Sequence, residues 1–286
     1  MTDSHFARKN TEVIRFPVLL CAPHAGRDYP AEILENCRLP AASLLRLEDR
    51  YSDLLMRAAQ NAGFATITAQ RARAWIDLNR ADNDIDSAMI QGAPRHLNYA
   101  SSAKQRGGLG LIPRRLHPAG EIWKRPITHA DAQSRIAHYH APYHQAVADI
   151  LDKMSVTFGG AVLLDIHSMP PVTRYSGDWR PDFVIGDRFG GSASSRLSGM
   201  LQAQIEAAGH ICALNHPYAG DYILRRHGDP ARNIHAIQLE TCRSLYLDNA
   251  LREPGGGLQQ IQRLIASIAH MLSDTIASDD MIEAAE

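Results

Sequence analysis

The sequence predicts an α/β fold, a three-layer α/β/α sandwich around a mixed, mostly parallel sheet. Three observations predict it. Short apolar stretches alternate with longer amphipathic ones along the 286 residues, as strands alternate with helices. The stretch 160–166 is apolar almost throughout, which is typical of a strand buried on both faces. The chain is also long enough to bury a large core between such layers.

The first part of the chain predicts two strands and a helix. Phe16 to Ala22 is an apolar run that Pro23 stops, so we expect a strand there. From about Ala42 to Asn61, apolar residues recur on one helical stripe, and Gly63 ends that helix. Phe64 to Ala69 alternates as a short strand does.

The second part continues the alternation. Asp131 to Val156 has the period of a helix, and Pro142 predicts a kink in it. The other predicted strands are 160–166, 183–185, 211–214 and 234–239, and the other predicted helices are 192–208 and 258–276.

A single catalytic domain, residues 1–286, is predicted, because no repeat or low-complexity linker divides the chain, although the length also allows two small domains. Residues from about 82 to 130 have poor periodicity and many Gly, Pro and Arg residues. A loop of that length in a compact domain is usually functional. We interpret it as a loop-rich insertion that forms a lid or wall of the substrate pocket.

The composition excludes several classes of function. The chain has 30 Lys+Arg and 31 Asp+Glu residues, so it lacks the basic excess of a nucleic-acid binder. No apolar run approaches the ~20 residues that span a bilayer, and residues 1–10 are polar without a signal-like apolar core. Four cysteines without CxxC spacing favour reduced, buried thiols in a cytoplasmic protein.

Nearly all of the basic residues are arginines, which bind carboxylates in bidentate fashion and would suit an anionic substrate. Drift in the overall amino-acid composition of the organism would produce the same excess of arginine over lysine.

Reactive side chains follow the predicted strands at their ends. His24 follows the first strand, Asp165 and His167 close the strand that begins at 160, and Glu240 closes the last strand. Ligands of open α/β sheets bind at the carboxyl ends of the strands, so we expect these side chains to meet. Two histidines and a carboxylate suit a catalytic metal ion, which keeps one position open for water.

Asp49 is predicted as the third ligand, with the adjacent Glu48 as its rival, and Glu240 as the general base. Each residue alone has a structural explanation, such as a carboxylate near a helix start for Asp49. Their shared placement favours one divalent ion, zinc first, although cobalt, iron and nickel accept similar ligands. Asp165 lies two residues before His167 on the same face of a strand, where it would orient that ring or pair with an arginine.

Other hydrolase classes find less support. There is no GxSxG motif, and Ser168 follows His167 too closely for a usual triad. Cys21 and Cys242 have no matched base.

Several short motifs then occur in an order found in a known family. They are His24-Ala25-Gly26 with Tyr29-Pro30, Glu48-Asp49, Asp77-Leu78-Asn79-Arg80, Asp165-Ile166-His167-Ser168-Met169-Pro170, Gly186-Asp187-Arg188-Phe189-Gly190, Asn215-His216-Pro217-Tyr218-Ala219-Gly220 and His235-Ala236-Ile237-Gln238-Leu239-Glu240. From about Pro17 to Asp248, this combination resembles the N-formylglutamate amidohydrolase (formylglutamate deformylase) family.

The resemblance implies a fold like that of the zinc carboxypeptidases, phosphorylase/hydrolase-like proteins and aspartoacylases. It implies hydrolysis of N-formyl-L-glutamate to L-glutamate and formate in histidine degradation. His167 resembles the last zinc histidine of the carboxypeptidases, Glu240 their general base, and Asn79-Arg80 the pair that grips a substrate carboxylate. Arg80 stands with Glu240 among the predicted catalytic residues.

A substrate with two carboxylates calls for two cationic clamps. Asn79 with Arg80 is predicted as the first. Arg73, Arg188 and Arg243 compete for the second clamp or for the oxyanion, although a structural pair with Asp77, Asp187 or another acid explains each of them as well.

Tyr218 is a weaker substrate-binding candidate, on a loop that would cover the pocket. Pro142-Tyr143-His144 is weaker still, and His144 is more typical of a buried helix histidine.

Two departures from the family pattern keep alternatives open. Arg27 stands where carboxypeptidases carry a glutamate ligand, so the carboxylate comes from elsewhere: Asp49, with Glu48 and Asp28 behind it. Ala219-Gly220-Asp221 replaces a usual Gly-Gly, which fits another N-acyl amino acid deacylase or a small carboxypeptidase. A non-catalytic binder of acidic metabolites would need arginines but neither metal ligands nor a base. The expected partner is a small anionic amino-acid derivative, and neither nucleic acid nor a membrane.

Overall fold

A computed structural model describes residues 5–92, 94, 99, 102–172 and 180–283. The chain divides into two compact units. The first contains the residues up to Ala7, Pro23–Glu48 and Ala69–Ala146, and the second contains Arg8–Ala22, Asp49–Thr68 and the chain from Val147 onward. The single catalytic domain stays a prediction.

A seven-stranded sheet forms the centre of the second unit. In the described residues the strands are β1 (Phe6–Lys9), β2 (Val18–Ala22), β3 (Ala65–Ala69), β4 (Ile90–Gln91), β5 (Arg115–Leu116), β6 (Gly120–Glu121), β7 (Ile127–Thr128), β8 (Ala161–Met169), β9 (Phe183–Gly186), β10 (Cys212–Leu214) and β11 (Ile234–Cys242). The order in the large sheet is β1-β3-β2-β8-β11-β9-β10.

The large sheet is mixed and mostly parallel, as predicted. Strands β3, β2, β8 and β11 run parallel to one another, while β9 runs antiparallel to β11 and parallel to β10. Every residue of β8 and β11 is buried. Because successive side chains point to opposite faces of a strand, both faces of the sheet are covered. This confirms the predicted fold class.

Ten α-helices lie in the described residues. They are α1 (Ala31–Asn36), α2 (Ala41–Leu44), α3 (Ser52–Leu55), α4 (Arg57–Asn61), α5 (Ala103–Arg106), α6 (His129–Arg135), α7 (Ala141–Phe158), α8 (Ser195–Ala207), α9 (Tyr222–His227) and α10 (Leu258–Glu283). Helix α6 continues into α7 through a π-helical segment, Ile136–His140, and Pro142 lies in the first turn of α7.

The continuous helix predicted from Ala42 to Asn61 is wrong in its middle. Glu48 has extended backbone angles, and Tyr51 has a φ of 57° in the left-handed region. A bulky residue adopts that conformation only where its surroundings hold it. Apolar residues continue the helical stripe on both sides of Glu48 and Asp49, so the sequence pattern did not reveal the interruption. Asp49 therefore lies outside a helix, in contrast to its predicted place near a helix start.

The loop at Tyr51 is fastened by the carboxy-terminal part of the second unit. The Tyr51 hydroxyl donates to Oε2 of Glu253 (2.6 Å), and Nε of Arg50 donates to the carbonyl of Arg252 (2.6 Å). The Tyr246 hydroxyl donates to the carbonyl of Arg50 (2.7 Å).

The segment predicted as an insertion, about 82–130, contains only short elements among its described residues. Strands β4 and β7 pair in parallel, and β5 and β6 form a small antiparallel pair. This loop-rich character agrees with the sequence pattern, and its role in the pocket stays a prediction.

The four cysteines are all free and buried, as predicted. In the described ranges there is no helix with the length and the apolar character that a bilayer span requires.

Candidate metal centre and active site

His24 lies just beyond β2, in a turn that a close backbone approach fixes. A Cβ on Gly26 would lie 1.9 Å from the carbonyl oxygen of Arg71, so only glycine fits there. Asp28 then donates its backbone N–H to the carbonyl of Gln70 (3.0 Å). The His-Ala-Gly motif thus fixes the backbone that carries His24.

Asp77 is a fully buried carboxylate in the same unit. It accepts hydrogen bonds from Nε2 of His24 (2.6 Å), Nε of Arg73 (2.8 Å) and the backbone N–H of Asn79 (2.9 Å). Burial alone would raise the carboxyl pKa, but the charges of Arg73, His24 and Arg80 outweigh it and hold that pKa well below its usual range. Asp77 therefore orients the His24 ring through its Nε2.

Arg80 is almost fully buried beside Asp77. Its Nε donates to the carbonyl of Leu109 (2.9 Å) and its Nη1 to the carbonyl of Asn79 (2.6 Å). A guanidinium presents five N–H donors in a fixed plane, so these bonds set the direction of that plane. The turn 77–80 thus holds a rigid cationic group of the kind a carboxylate clamp requires.

His167 and Asp165 lie on one face of β8 in the second unit. Nε2 of His167 lies 2.9 Å from Oδ2 of Asp165, whose Oδ1 accepts a hydrogen bond from the Cys21 thiol (3.1 Å). Nδ1 of His167 lies 2.8 Å from Oδ2 of Asp49. Burial alone would lower the imidazole pKa, but Asp165 and Asp49 outweigh it and raise that pKa well above its usual value.

Asp49 is oriented by Arg243 as well as by His167. Nη2 of Arg243 donates to Oδ1 of Asp49 (3.2 Å). The same guanidinium donates to the hydroxyl (3.1 Å) and the carbonyl (3.3 Å) of Ser168. Sequence reasoning placed Arg243 among the substrate arginines, whereas these contacts make it a partner of a candidate ligand.

His24, Asp49 and His167 each offer one ligand atom, and these atoms all lie within 4.8 Å of one another. Two imidazoles and a carboxylate are the donor set of many catalytic zinc sites. Each histidine also has a carboxylate on another ring nitrogen, Asp77 for His24 and Asp165 for His167. Such partners fix the ring and tautomer of metal-binding histidines, so these residues fit a divalent ion.

The rival carboxylates have other partners. Glu48 is buried, and its Oε1 accepts a hydrogen bond from the Tyr29 hydroxyl. The Asp28 side chain is 56% exposed and pairs with Arg71. Within the described ranges, the group of side chains that could hold a metal ion contains Asp49 rather than either of them.

Glu240 lies in β11 directly opposite His167 of β8. Both strands extend beyond the ends that the sequence predicted, because a β-ladder needs only backbone groups and continues past polar side chains. Gln238 donates from Nε2 to Oε1 of Glu240 (3.0 Å). Burial raises the pKa of Glu240 to about 7. The charge of His167 opposes this rise, and the charge of Asp49 adds to it. A buried carboxylate beside a candidate ligand is placed to take up a proton.

Tyr218 lies close enough to Glu240 and Asp49 to feel their charges. Burial first, and then these two carboxylates, raise the pKa of its hydroxyl. Its ring packs against the apolar cluster that includes Met169 and Val184.

Arg188 lies in a turn after β9, whose antiparallel direction the sequence did not reveal. Its backbone N–H donates to the carbonyl of Ala219 (2.8 Å), and its φ is 56°. Asp187, its suggested structural partner, instead accepts hydrogen bonds from Asn215 and Ser198 (both 2.7 Å). The backbone of Arg188 is thus bonded to the turn at Ala219, and Asp187 is held by other side chains.

Sequence reasoning missed two supporting residues. Asp77 was considered only as a partner of arginine, whereas it also orients His24, and Gln238 was not considered. Each is a polar side chain in an otherwise apolar segment, and that is the signal that points to a bonded partner.

Comparison with known proteins agrees with this geometry. The family model described as N-formylglutamate amidohydrolase matches residues 16–247. An N-formylglutamate deformylase of Pseudomonas putida is 33% identical over 236 residues (82% of this chain and 83% of the relative), and one of Pseudomonas aeruginosa is 30% identical over 239 residues with the same coverage.

A crystal structure of N-formylglutamate amidohydrolase from Ralstonia eutropha JMP134 has a TM-score of 0.89 and 30% identity, covering 96% of this chain and 99% of that one. The predicted resemblance is confirmed: the chain belongs to the N-formylglutamate amidohydrolase family and is an amidohydrolase.

Proposed function

We propose that this chain hydrolyses N-formyl-L-glutamate to L-glutamate and formate, using a divalent ion, zinc first, held by His24, Asp49 and His167. The observation that carries the proposal is the convergence of three ligand atoms within 4.8 Å in a member of this family. A divalent ion bound there would polarise the formyl carbonyl and acidify a water molecule.

The residues of the chain have distinct tasks in this proposal. Glu240 takes a proton from the attacking water and returns it to the leaving amine nitrogen. Asp77 and Asp165 hold the two imidazoles in their binding orientations. Arg243, fixed on Ser168, holds Asp49 in place.

Substrate recognition falls to the arginines. Arg80 with Asn79 grips one substrate carboxylate. Arg73 and Tyr218 are the candidates for the second carboxylate. Nε of Arg73 already donates to Asp77. Arg73 therefore also helps to hold the carboxylate that orients His24.

A screen of formate release across N-formyl amino acids tests the substrate assignment. N-Formyl-L-glutamate should be cleaved with the highest kcat/KM, ahead of N-formyl-L-glutamine and N-formyl-L-methionine, because only a diacid uses two cationic clamps. If N-formylglutamate remains intact while another acyl amino acid is hydrolysed, the substrate is wrong and the reaction class stands.

Replacing Arg80 with lysine should lower kcat/KM for N-formyl-L-glutamate by roughly 30-fold or more. A buried charged hydrogen-bond partner is worth about 2–5 kcal/mol, and lysine cannot reproduce the planar fork of arginine. Arg115→Lys is the matched control, since Arg115 is half-exposed and pairs with Glu121. Equal rates in the two variants would exclude Arg80 from the clamp.

Replacing Asp165 with asparagine should weaken the affinity for zinc about 10- to 100-fold. The neutral amide lacks the negative charge by which the Asp165 carboxylate supports His167. Competition with a metal-binding dye measures the affinity directly. Asp152→Asn, at an exposed ion pair with Arg232, is the control. An unchanged affinity in Asp165→Asn would remove Asp165 from the support of His167.

A further inference from the structure

Two buried histidines contact the main chain of the clamp turn. Nε2 of His144 lies 3.0 Å from the carbonyl oxygen of Leu78, and Nε2 of His140 lies 2.7 Å from that of Arg80. These two carbonyls belong to the peptide groups immediately before Asn79 and immediately after Arg80. The histidines therefore bracket the Asn79-Arg80 pair on its backbone.

The chemistry of these contacts fixes which nitrogen carries the hydrogen. A carbonyl oxygen only accepts, so Nε2 of both His140 and His144 is a donor. The two rings lie with their centroids 4.4 Å apart, and their residues are 3% and 0% exposed. Buried, packed rings keep one orientation, so each imidazole is a fixed donor rather than a mobile one.

The π-helical segment Ile136–His140 aligns a third donor with this pair. Residues five apart in an α-helix point about 140° away from each other, whereas a π turn brings them together. Nη1 of Arg135 accordingly donates to the carbonyl of Trp75 (2.9 Å), and its guanidinium lies 3.7 Å from the centre of the Trp75 ring. One face of the helical segment thus carries three donors to one loop, and π segments recur at functional sites.

We propose that His140 and His144 are positioning residues for substrate recognition: they hold the backbone on both sides of Asn79-Arg80 and so aim the guanidinium at a substrate carboxylate. This inference rests on the proposed role of Arg80 as the clamp. Misplacement by about 1 Å at such a group costs up to about 100-fold in rate. The histidines act on selectivity for the carboxylate.

Glutamine and asparagine at the same position separate positioning from mere packing. The amide nitrogen of glutamine reaches the place of histidine Nε2, whereas that of asparagine ends one bond short. The readout is the ratio of kcat/KM for N-formyl-L-glutamate to that for the monoamide that lacks the carboxylate held by Arg80, either N-formyl-L-isoglutamine (α-amide) or N-formyl-L-glutamine (γ-amide). That monoamide is identified beforehand as the one whose kcat/KM is little changed by Arg80→Lys. We expect His140→Asn and His144→Asn to lower this ratio about tenfold or more, and His140→Gln and His144→Gln to keep it near the value of the unchanged chain.

His138→Asn is the control, because His138 lies in the same π segment but is exposed and bonds within its own helix. Thermal unfolding of every variant is measured alongside. The inference is overturned if the asparagine and glutamine variants keep the same ratio, or if rates on both substrates fall in parallel with the melting temperature.

Calorimetric titration with L-glutamate gives a second readout. Affinity should fall in the asparagine variants and persist in the glutamine variants, and equal affinities in both would contradict the inference. Failure of the proposed function would look different, because the unchanged chain itself would then leave N-formyl-L-glutamate intact.

Discussion

Removal of divalent ions with a chelator should abolish formate release, and added zinc should restore it. The proposed reaction depends on an ion held by His24, Asp49 and His167, whose candidate ligand atoms all lie within 4.8 Å of one another. The same treatment should lower the melting temperature, because a ligand at about 1,000 times its Kd stabilises the native state by about 4 kcal/mol. Formate assays, metal analysis and thermal unfolding on one sample measure all three effects.

The Asp49→Asn variant is the control for chelation. With a weakened site, its melting temperature should be nearly insensitive to the chelator. Adding back zinc, cobalt, nickel and iron(II) separately then identifies the ion that supports turnover, since affinity alone does not decide among them. Full activity in protein shown by analysis to hold almost no metal would refute the metal mechanism.

Replacing Glu240 with glutamine should lower kcat by about 10²–10⁴-fold while the metal content stays unchanged. Positioned general bases contribute rate factors of that size. The amide oxygen of the new side chain can still accept the hydrogen bond that Gln238 donates to Oε1 (3.0 Å), so the fold should persist. Steady-state kinetics and metal analysis on the same preparation separate the two properties.

Glu206→Gln provides the matched surface substitution, because Glu206 is exposed and its side chain accepts a hydrogen bond from Gln202 within α8. It should be indistinguishable from the unchanged chain. A Glu240→Gln variant that turns over at a near-normal rate would exclude this carboxylate as the base.

The sheet and the principal reactive residues could be predicted because the sequence carries them locally. Apolar runs define β2 and β8, and polar side chains such as His24 and His167 stand out after or within them. The rule that ligands collect at the carboxyl ends of parallel strands then brought distant residues together. The family motifs pointed to the same residues.

The geometry around these residues could not be predicted, because it depends on long-range contacts. Nothing near Asp49 in the sequence reveals that Arg243 orients it. Strand β9 runs antiparallel to β11, and this direction places Arg188 away from the carboxyl ends of β8 and β11. The direction depends on the pairing of β9 with β11. The contacts of His144 also depend on the fold. The sequence predicted a buried helix histidine, as the structure shows, but it did not reveal the contact of that histidine with the carbonyl of Leu78.

The left-handed turn at Tyr51 has a consequence for the order in which the chain matures. The anchors of that turn, Tyr246 and Glu253, are translated about two hundred residues after it. Until those anchors have been synthesised, the loop that carries Asp49 stays unfastened in a nascent chain. A metal ion that needs Asp49 would accordingly be bound only after the segment around Tyr246 and Glu253 has folded.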